Sequence, residues 1–302
     1  MTTEMIEQSF GVTGPACLQV NNVSGSVVVQ PGEPGLIQIT AAKHTHTGDA
    51  QRTQVEISQA ADGSVSAVTR FNSDNVLGWL FGCHPCDVDY AIKVPADCEV
   101  RIKGVSSGAM LSGLNGACDV RSVSGEVTLV GIAGPISLDS VSGDIAGQQL
   151  DGALSVKTVS GAVCLRESNF PEASINTVSG EILLETPLGA GPYQLHTVSG
   201  SVHLVVPAGT GCVIDLYSVS GQVSSDLPVN MLDRRVGNCR AEVQGGGAHI
   251  RMKSVSGSLW LEAVDKTALP ASAAAVPSRR DLLDRLEKGD LTVEETLSAL
   301  QE

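Results

Sequence analysis

Aromatic side chains are scarce in this 302-residue chain: two Trp, three Tyr and four Phe, or 3% of the whole. That scarcity agrees with a narrow core filled by Val, Ile, Leu and Ala. Basic residues are few as well, with 19 Lys plus Arg against 33 Asp plus Glu and a formal charge of −14. Such a balance repels phosphate backbones and anionic headgroups, so nucleic acid is not an expected partner. Long apolar runs are missing. Met1 is followed by Glu4 and Glu7, and no segment reaches the roughly 18 apolar residues of a spanning helix. Neither a signal peptide nor a membrane span is visible, and a cytoplasmic location, with association at the cell envelope, is the expectation. The eight cysteines lack a framework spacing, which reads as free thiols in a reducing compartment.

What the chain does have is a repeat. Val-Ser-Gly returns at Val123, Val141, Val159, Val178, Val198, Val219 and Val255, with a stretched copy at Val105-Ser106-Ser107-Gly108. Successive complete copies are 18 to 21 residues apart, except for a final gap of 36 in which Val236-Gly237 stands where a decayed copy belongs. Counting that copy gives nine repeats. A period this short excludes paired helices and propeller blades but suits one coil of a β-solenoid. The fold class expected is therefore all-β, a parallel β-helix or β-solenoid with about 18–21 residues per coil, plus a short C-terminal helical hairpin.

Aligned on the Val, the repeat explains itself as strands. Five and three residues earlier the columns are apolar, as in Ile136 and Leu138, Leu154 and Val156, or Tyr193 and Leu195. The columns between them are polar, so one face is buried. One residue before the Val stands Ser or Thr, whose hydroxyls are placed to bond along a stacked column. A second short strand follows the Gly, and the Ser-Gly between the two is the corner, where positive φ favours glycine. Gly116, Gly134 and Gly152 mark a second corner. Nine coils at about 4.8 Å would form a rod of roughly 43 Å. A nucleophile elbow needs a Gly two places before the Ser and triad partners, which the copies lack.

Upstream, an outlying Val23-Ser24-Gly25 sits among shorter strand-like runs, which points to solenoid geometry with longer excursions between coils. The boundaries that follow are an N-terminal β region at 1–104, the regular solenoid at 105–263, an Ala/Pro linker at 264–277 and a helical hairpin at 278–302. Tyr90-Ala91-Ile92-Lys93-Val94-Pro95-Ala96, leading into serial Val-Ser-Gly coils, resembles the bacterial putative-adhesin family of β-strand-repeat proteins, a domain of unknown function. The resemblance covers roughly residues 10–263. It implies a β-helical fold and a link to the cell envelope, and carries no catalytic residues.

In the tail, Ser278 caps a first helix ended by Gly289, and Thr292 with Glu295 forms a capping box for a second. The run resembles the short helical hairpin appended to bacterial envelope-associated and repeat proteins, which implies protein–protein contact or self-association. Leu282, Leu286, Val293 and Leu297 would supply its apolar contact. The alternative target is the open strand edge near Trp260 at the end of the last coil.

No catalytic site, cofactor or metal is expected, so the chain reads as a non-enzyme. Cys83-His84-Pro85-Cys86 has the one metal-like spacing, but it supplies two ligands where a structural zinc wants four; His44, His46, His84 and Cys98 are the residues that could complete it. A carbohydrate-active or carbohydrate-binding β-helix is the alternative function, and it would need clustered acids on an outer face. Two residues before the Val, Lys157, Asn176, His196 and Tyr217 line up instead as an exposed polar and aromatic strip. This strip is the candidate binding site of a solenoid scaffold that presents a long face to a partner.

Overall fold

The computed structural model describes residues 3–45, 47–71, 84–235 and 238–264. Two units divide the chain, Met1–Val264 and Asp265–Glu302. The second, with the expected hairpin and its Leu282, Leu286, Val293 and Leu297, lies outside the described residues, as do Cys83 and His46. Among the described residues every regular element is a strand.

Two parallel ladders carry the fold. In the first, β2 (Cys17–Pro31), β7 (Glu99–Ser112), β8 (Cys118–Ser124), β10 (Ile136–Ser142), β12 (Leu154–Ser160), β14 (Ala173–Ser179) and β16 (Pro192–Ser199) stack in chain order. The second is built by the residues after each corner: the distal halves of β2 and β7, then β9 (Val127–Val130), β11 (Ile145–Gln148), β13 (Val163–Arg166), β15 (Ile182–Glu185) and β17 (Val202–Pro207). Strands β2 and β7 run through the corner and belong to both ladders. Between the ladders lies the core, one apolar residue per column per coil. Ile136, Leu154 and Ala173 face it from the first ladder, and Val127, Ile145 and Val163 from the second, all buried.

Chain order then breaks. The coil that follows β17 is β18 (Cys212–Ser220) with β19 (Val223–Ser225), yet β18 does not pair with β16. The slot between them is filled by the last coil, β22 (Ala248–Ser256) with β23 (Leu259–Val264), which pairs with β16 and β17 on one side and with β18 and β19 on the other. The 36-residue gap, whose Val236-Gly237 lies outside the described residues, shows no further coil among those described. It holds β20 (Val229–Arg235) and β21 (Asn238–Val243), an antiparallel hairpin whose second strand covers the outer edge of β18. Val23-Ser24-Gly25, outside the count of nine, is a coil instead: Ser24 and Gly25 pair with Ser106 and Ser107. The strand near Trp260 is thus not an edge, and nothing there calls for a cap.

At the N-terminal end β5 (Val65–Phe71) and β6 (Asp87–Val94) extend the two ladders beyond β2. Antiparallel strands then close them. On one side this is β4 (Thr53–Gln59); on the other, β3 (Leu36–His44) followed by β1 (Thr3–Gly11). The C-terminal clamp is chemical as well. Asp215 of β18 is nearly buried, accepts from His249 Nε2 of the inserted coil at 2.9 Å, and pairs with Arg240 of the capping hairpin at 3.6 Å.

The corner glycines answer to stacking before conformation. Gly161 and Gly180 have φ of 132° and 145°, as the repeat suggested, but Gly125, Gly221 and Gly257 do not fall in that left-handed range. What the corners share is the coil next door. A Cβ on Gly161 would overlap the carbonyl of Gly143, and one on Gly180 that of Gly161. In the preceding Ser/Thr column, Thr158 and Thr177 donate locally to the carbonyls of Ser160 and Ser179 at 3.3 and 3.4 Å, while the buried hydroxyls of Ser140, Thr197, Ser218 and Ser254 have no partner among the described residues.

Gly161→Ala or Gly180→Ala should lower unfolding free energy by at least about 2 kcal/mol, whereas Gly11→Ala, with nothing near its Cβ position and no left-handed φ, should stay within about 0.5 kcal/mol. Urea melts of the three variants check this. Asp215→Ala should cost about 1–3 kcal/mol, and hydrogen exchange should show the loss concentrated in β18, β21 and β22; uniform loosening along the stack would contradict the clamp.

Candidate functional site

Alternation along each strand of the first ladder puts three columns on its outer face. The Val of the repeat is one of them. Val123, Val141, Val159, Val178 and Val198 remain 47–48% exposed, a continuous ridge of β-branched side chains along the corner. Surface patches of that extent mark contact sites more often than plain solvated faces. Two residues upstream runs the polar strip. Its stacking order is Lys103, Arg121, Asp139, Lys157, then Asn176 and His196. Lys157, Asn176 and His196 are neighbours on successive coils, as the repeat spacing suggested. Tyr217 is not next to His196: the inserted coil places Lys253 between them. Sequence order alone could not reveal this, because the Val255 copy looks like every other.

A shallow groove runs between ridge and strip. One stretch, lined by Lys157, Asn176, His196 and Lys253 against Val178 and Val198, encloses about 460 Å³. It continues past Lys157 into a stretch of about 530 Å³ along Lys103, Arg121, Val123 and Val141. The strip is basic in an acidic chain. Its one carboxylate, Asp139, lies 3.7 Å from Arg121. His196 is held below the usual imidazole value by partial burial, then by the charges of Lys253 and Arg251, which favours its neutral form at pH 7. A second trough, of about 410 Å³, follows the far edge of the same face over Ser137, Ser155 and Ser174, walled by Ala117, Pro135 and Ala153. The alternation of small and hydroxyl residues was there to find it, but flatness is a property of the stack.

Around the corner, the outer face of the second ladder has the opposite sign. Glu126, Asp144 and Glu181 project from the column three residues after the Val. Two residues further on runs a mostly apolar column, Met110, Thr128, Ala146, Cys164 and Leu183, followed by His203, which stacks on the ring of Trp260 at 4.5 Å, and by Ser224.

Of the metal-like set, Cys83 and His46 lie outside the described residues. His44 is engaged by Asp89 at 2.8 Å, Cys98 is buried in the core, and the described residues hold no group of three or more metal-ligating side chains.

Residues 146–262 match the Toastrack DUF4097 family. The stretch covers the coils from β11 to β23. Among solved structures, the chain is similar to a putative adhesin from Bacteroides fragilis NCTC 9343, at 13% identity and a TM-score of 0.44, over 86% of this chain and 97% of that one. It is also similar to a putative adhesin from Parabacteroides merdae ATCC 43184, at 11% identity and 0.40, over 87% and 97%. A third is described as a putative lipid binding protein from Parabacteroides distasonis ATCC 8503, at 10% identity and 0.33, over 87% and 97%. No curated protein matches the chain.

Burial pushes the Cys98 thiol up to about 12 and those of Cys118 and Cys212 up to about 11. At pH 8 these three are protonated and shielded, so an alkylating probe should label the partly exposed Cys164 before any of them. Peptide mapping checks the order; early labelling of Cys98 would contradict its place in the core.

Proposed function

We propose that the protein is a non-enzymatic β-solenoid scaffold that holds an elongated acidic partner along the outer face of its first ladder. The observation that carries this reading is the pairing of a valine ridge with a basic strip on one face of a chain whose net charge is −14. Apolar area supplies contact, and Lys103, Lys157 and Lys253 supply sign selection and steering. Asn176 and His196 add hydrogen-bonding groups between Lys157 and Lys253, and Tyr217 adds one beyond Lys253. The hydrocarbon stems of the lysines extend the apolar floor while their ammonium groups stay in water. A catalytic reading needs paired acids facing one cleft, and the strip has a single carboxylate already beside Arg121. By sequence, Leu282, Leu286, Val293 and Leu297 belong to the same proposal as a second contact for a protein partner.

The test is binding of a labelled twenty-residue poly-L-glutamate, followed by fluorescence anisotropy. Wild type should bind at low salt and release the probe as salt rises. Lys157→Glu with Lys253→Glu should weaken binding about tenfold or more, since each exposed pair is worth up to about 1 kcal/mol and reversal adds repulsion. Equal binding by wild type and the double variant would overturn the proposal.

A further inference from the structure

The two outer faces are chemical complements drawn on the same lattice. Rows are set by the coil spacing of about 4.8 Å and columns by the two-residue strand repeat of about 6.8 Å. On the first face, a basic column (Lys103, Arg121, Lys157) lies one column upstream of the valine ridge. On the second, an acidic column (Glu126, Asp144, Glu181) lies one column upstream of the apolar residues Met110, Ala146, Cys164 and Leu183. Resting on the reading of the first face as a binding face, we infer that its partner is the second face of another copy of this chain.

Orientation follows from the direction of the chain. Seen from outside, both faces are traversed in the same sense, charged column first and apolar column second. Apposing two faces mirrors one of them. Opposite charges and the two apolar columns therefore superpose together only when the second copy is turned end over end, with the coil axes antiparallel.

One register sets two cations against two acids, although Arg121 also pairs with Asp119 and Asp139 of its own copy and Lys103 and Lys253 fall opposite Ser201 and Ser26. When Lys157 stands opposite Asp144, Arg121 falls opposite Glu181 and Asn176 opposite Glu126. Asp139, the one acid of the basic strip, then meets Ala162, the one uncharged residue within the acidic run. In that register Val123 meets Leu183 and Val198 meets Met110. A slip of one coil in either direction sets Asp139 against Asp144 or against Glu181. Like charges thus guard the register from both sides, while the apolar columns alone would tolerate any slip. Because the contact joins two different faces, the pair keeps one free face of each kind, so the association propagates unless the rotation closes.

The test uses full-length protein and two charge-reversal variants. The first carries Arg121→Glu and Lys157→Glu, the second Asp144→Lys and Glu181→Lys; circular dichroism first establishes that both fold. Sedimentation velocity over a wide concentration series should show wild type associating and each variant alone monomeric. An equimolar mixture of the two variants should associate again, because both of its heterologous contacts pair opposite signs. A structural role for these residues would not give rescue on mixing. Wild type that stays monomeric while binding poly-L-glutamate would overturn this inference and leave the proposed function standing, with a different acidic protein as the partner. Wild type that stays monomeric and ignores poly-L-glutamate would overturn both. Variants that still associate alone would place the interface elsewhere and overturn the inference.

Discussion

The parallel backbone ladder is the interaction on which everything else rests. Once Leu138 is hydrogen-bonded level with Val120 on one side and Val156 on the other, every residue in the coil has its column assigned. A one-residue slip would turn the core columns outward and bring the valine ridge in. The close approach of the corner carbonyls, which leaves no room for a Cβ at Gly161 or Gly180, fixes the same register from a second direction. Burial and glycine packing agree on one alignment, and the surface columns are a by-product of that agreement.

Because of this, the fold was largely legible in the repeat. The period, the two strands, the inward columns and the corner could be read from Cys118 to Leu204 without reference to anything distant. What could not be read was the order of the coils. Ladder pairing is blind to chain distance, and Val255-Ser256-Gly257 offers the same pattern to β16 that Val219-Ser220-Gly221 does. The residues that decide between them are not in the repeat at all. Asp215, His249 and Arg240 form the clamp at the far end, and the β20–β21 hairpin occupies the length that arithmetic assigned to a coil. The N-terminal copy at Val23 was visible for the opposite reason: its motif survives although the next coil in the stack begins some seventy residues later.

The candidate face shows the same division. Lys157, Asn176 and His196 were placed by counting, and the count holds. The ridge beside them follows from the same alternation, which puts the Val out of phase with the core columns five and three residues before it. Its exposure follows from the Ser or Thr just before it, which takes the inward position at the corner and turns the Val outward. The outer apolar ladder is thus a consequence of how the corner is closed.

The interleaved last coil has a consequence for biosynthesis. A nascent chain that has emerged as far as Ser225 has every coil but one, and the missing coil belongs between two already present. Until residues 248–261 leave the ribosome, roughly 2–7 s later at ordinary elongation rates, β16 and β18 face each other across an empty rung. Both edges are fully formed, unpaired and matched to a sequence that every neighbouring polysome product also carries. Completion is therefore a race between the chain's own C-terminus and that of another molecule, and the β20–β21 hairpin, by tethering β22 close to its slot, tilts the race toward the intramolecular winner.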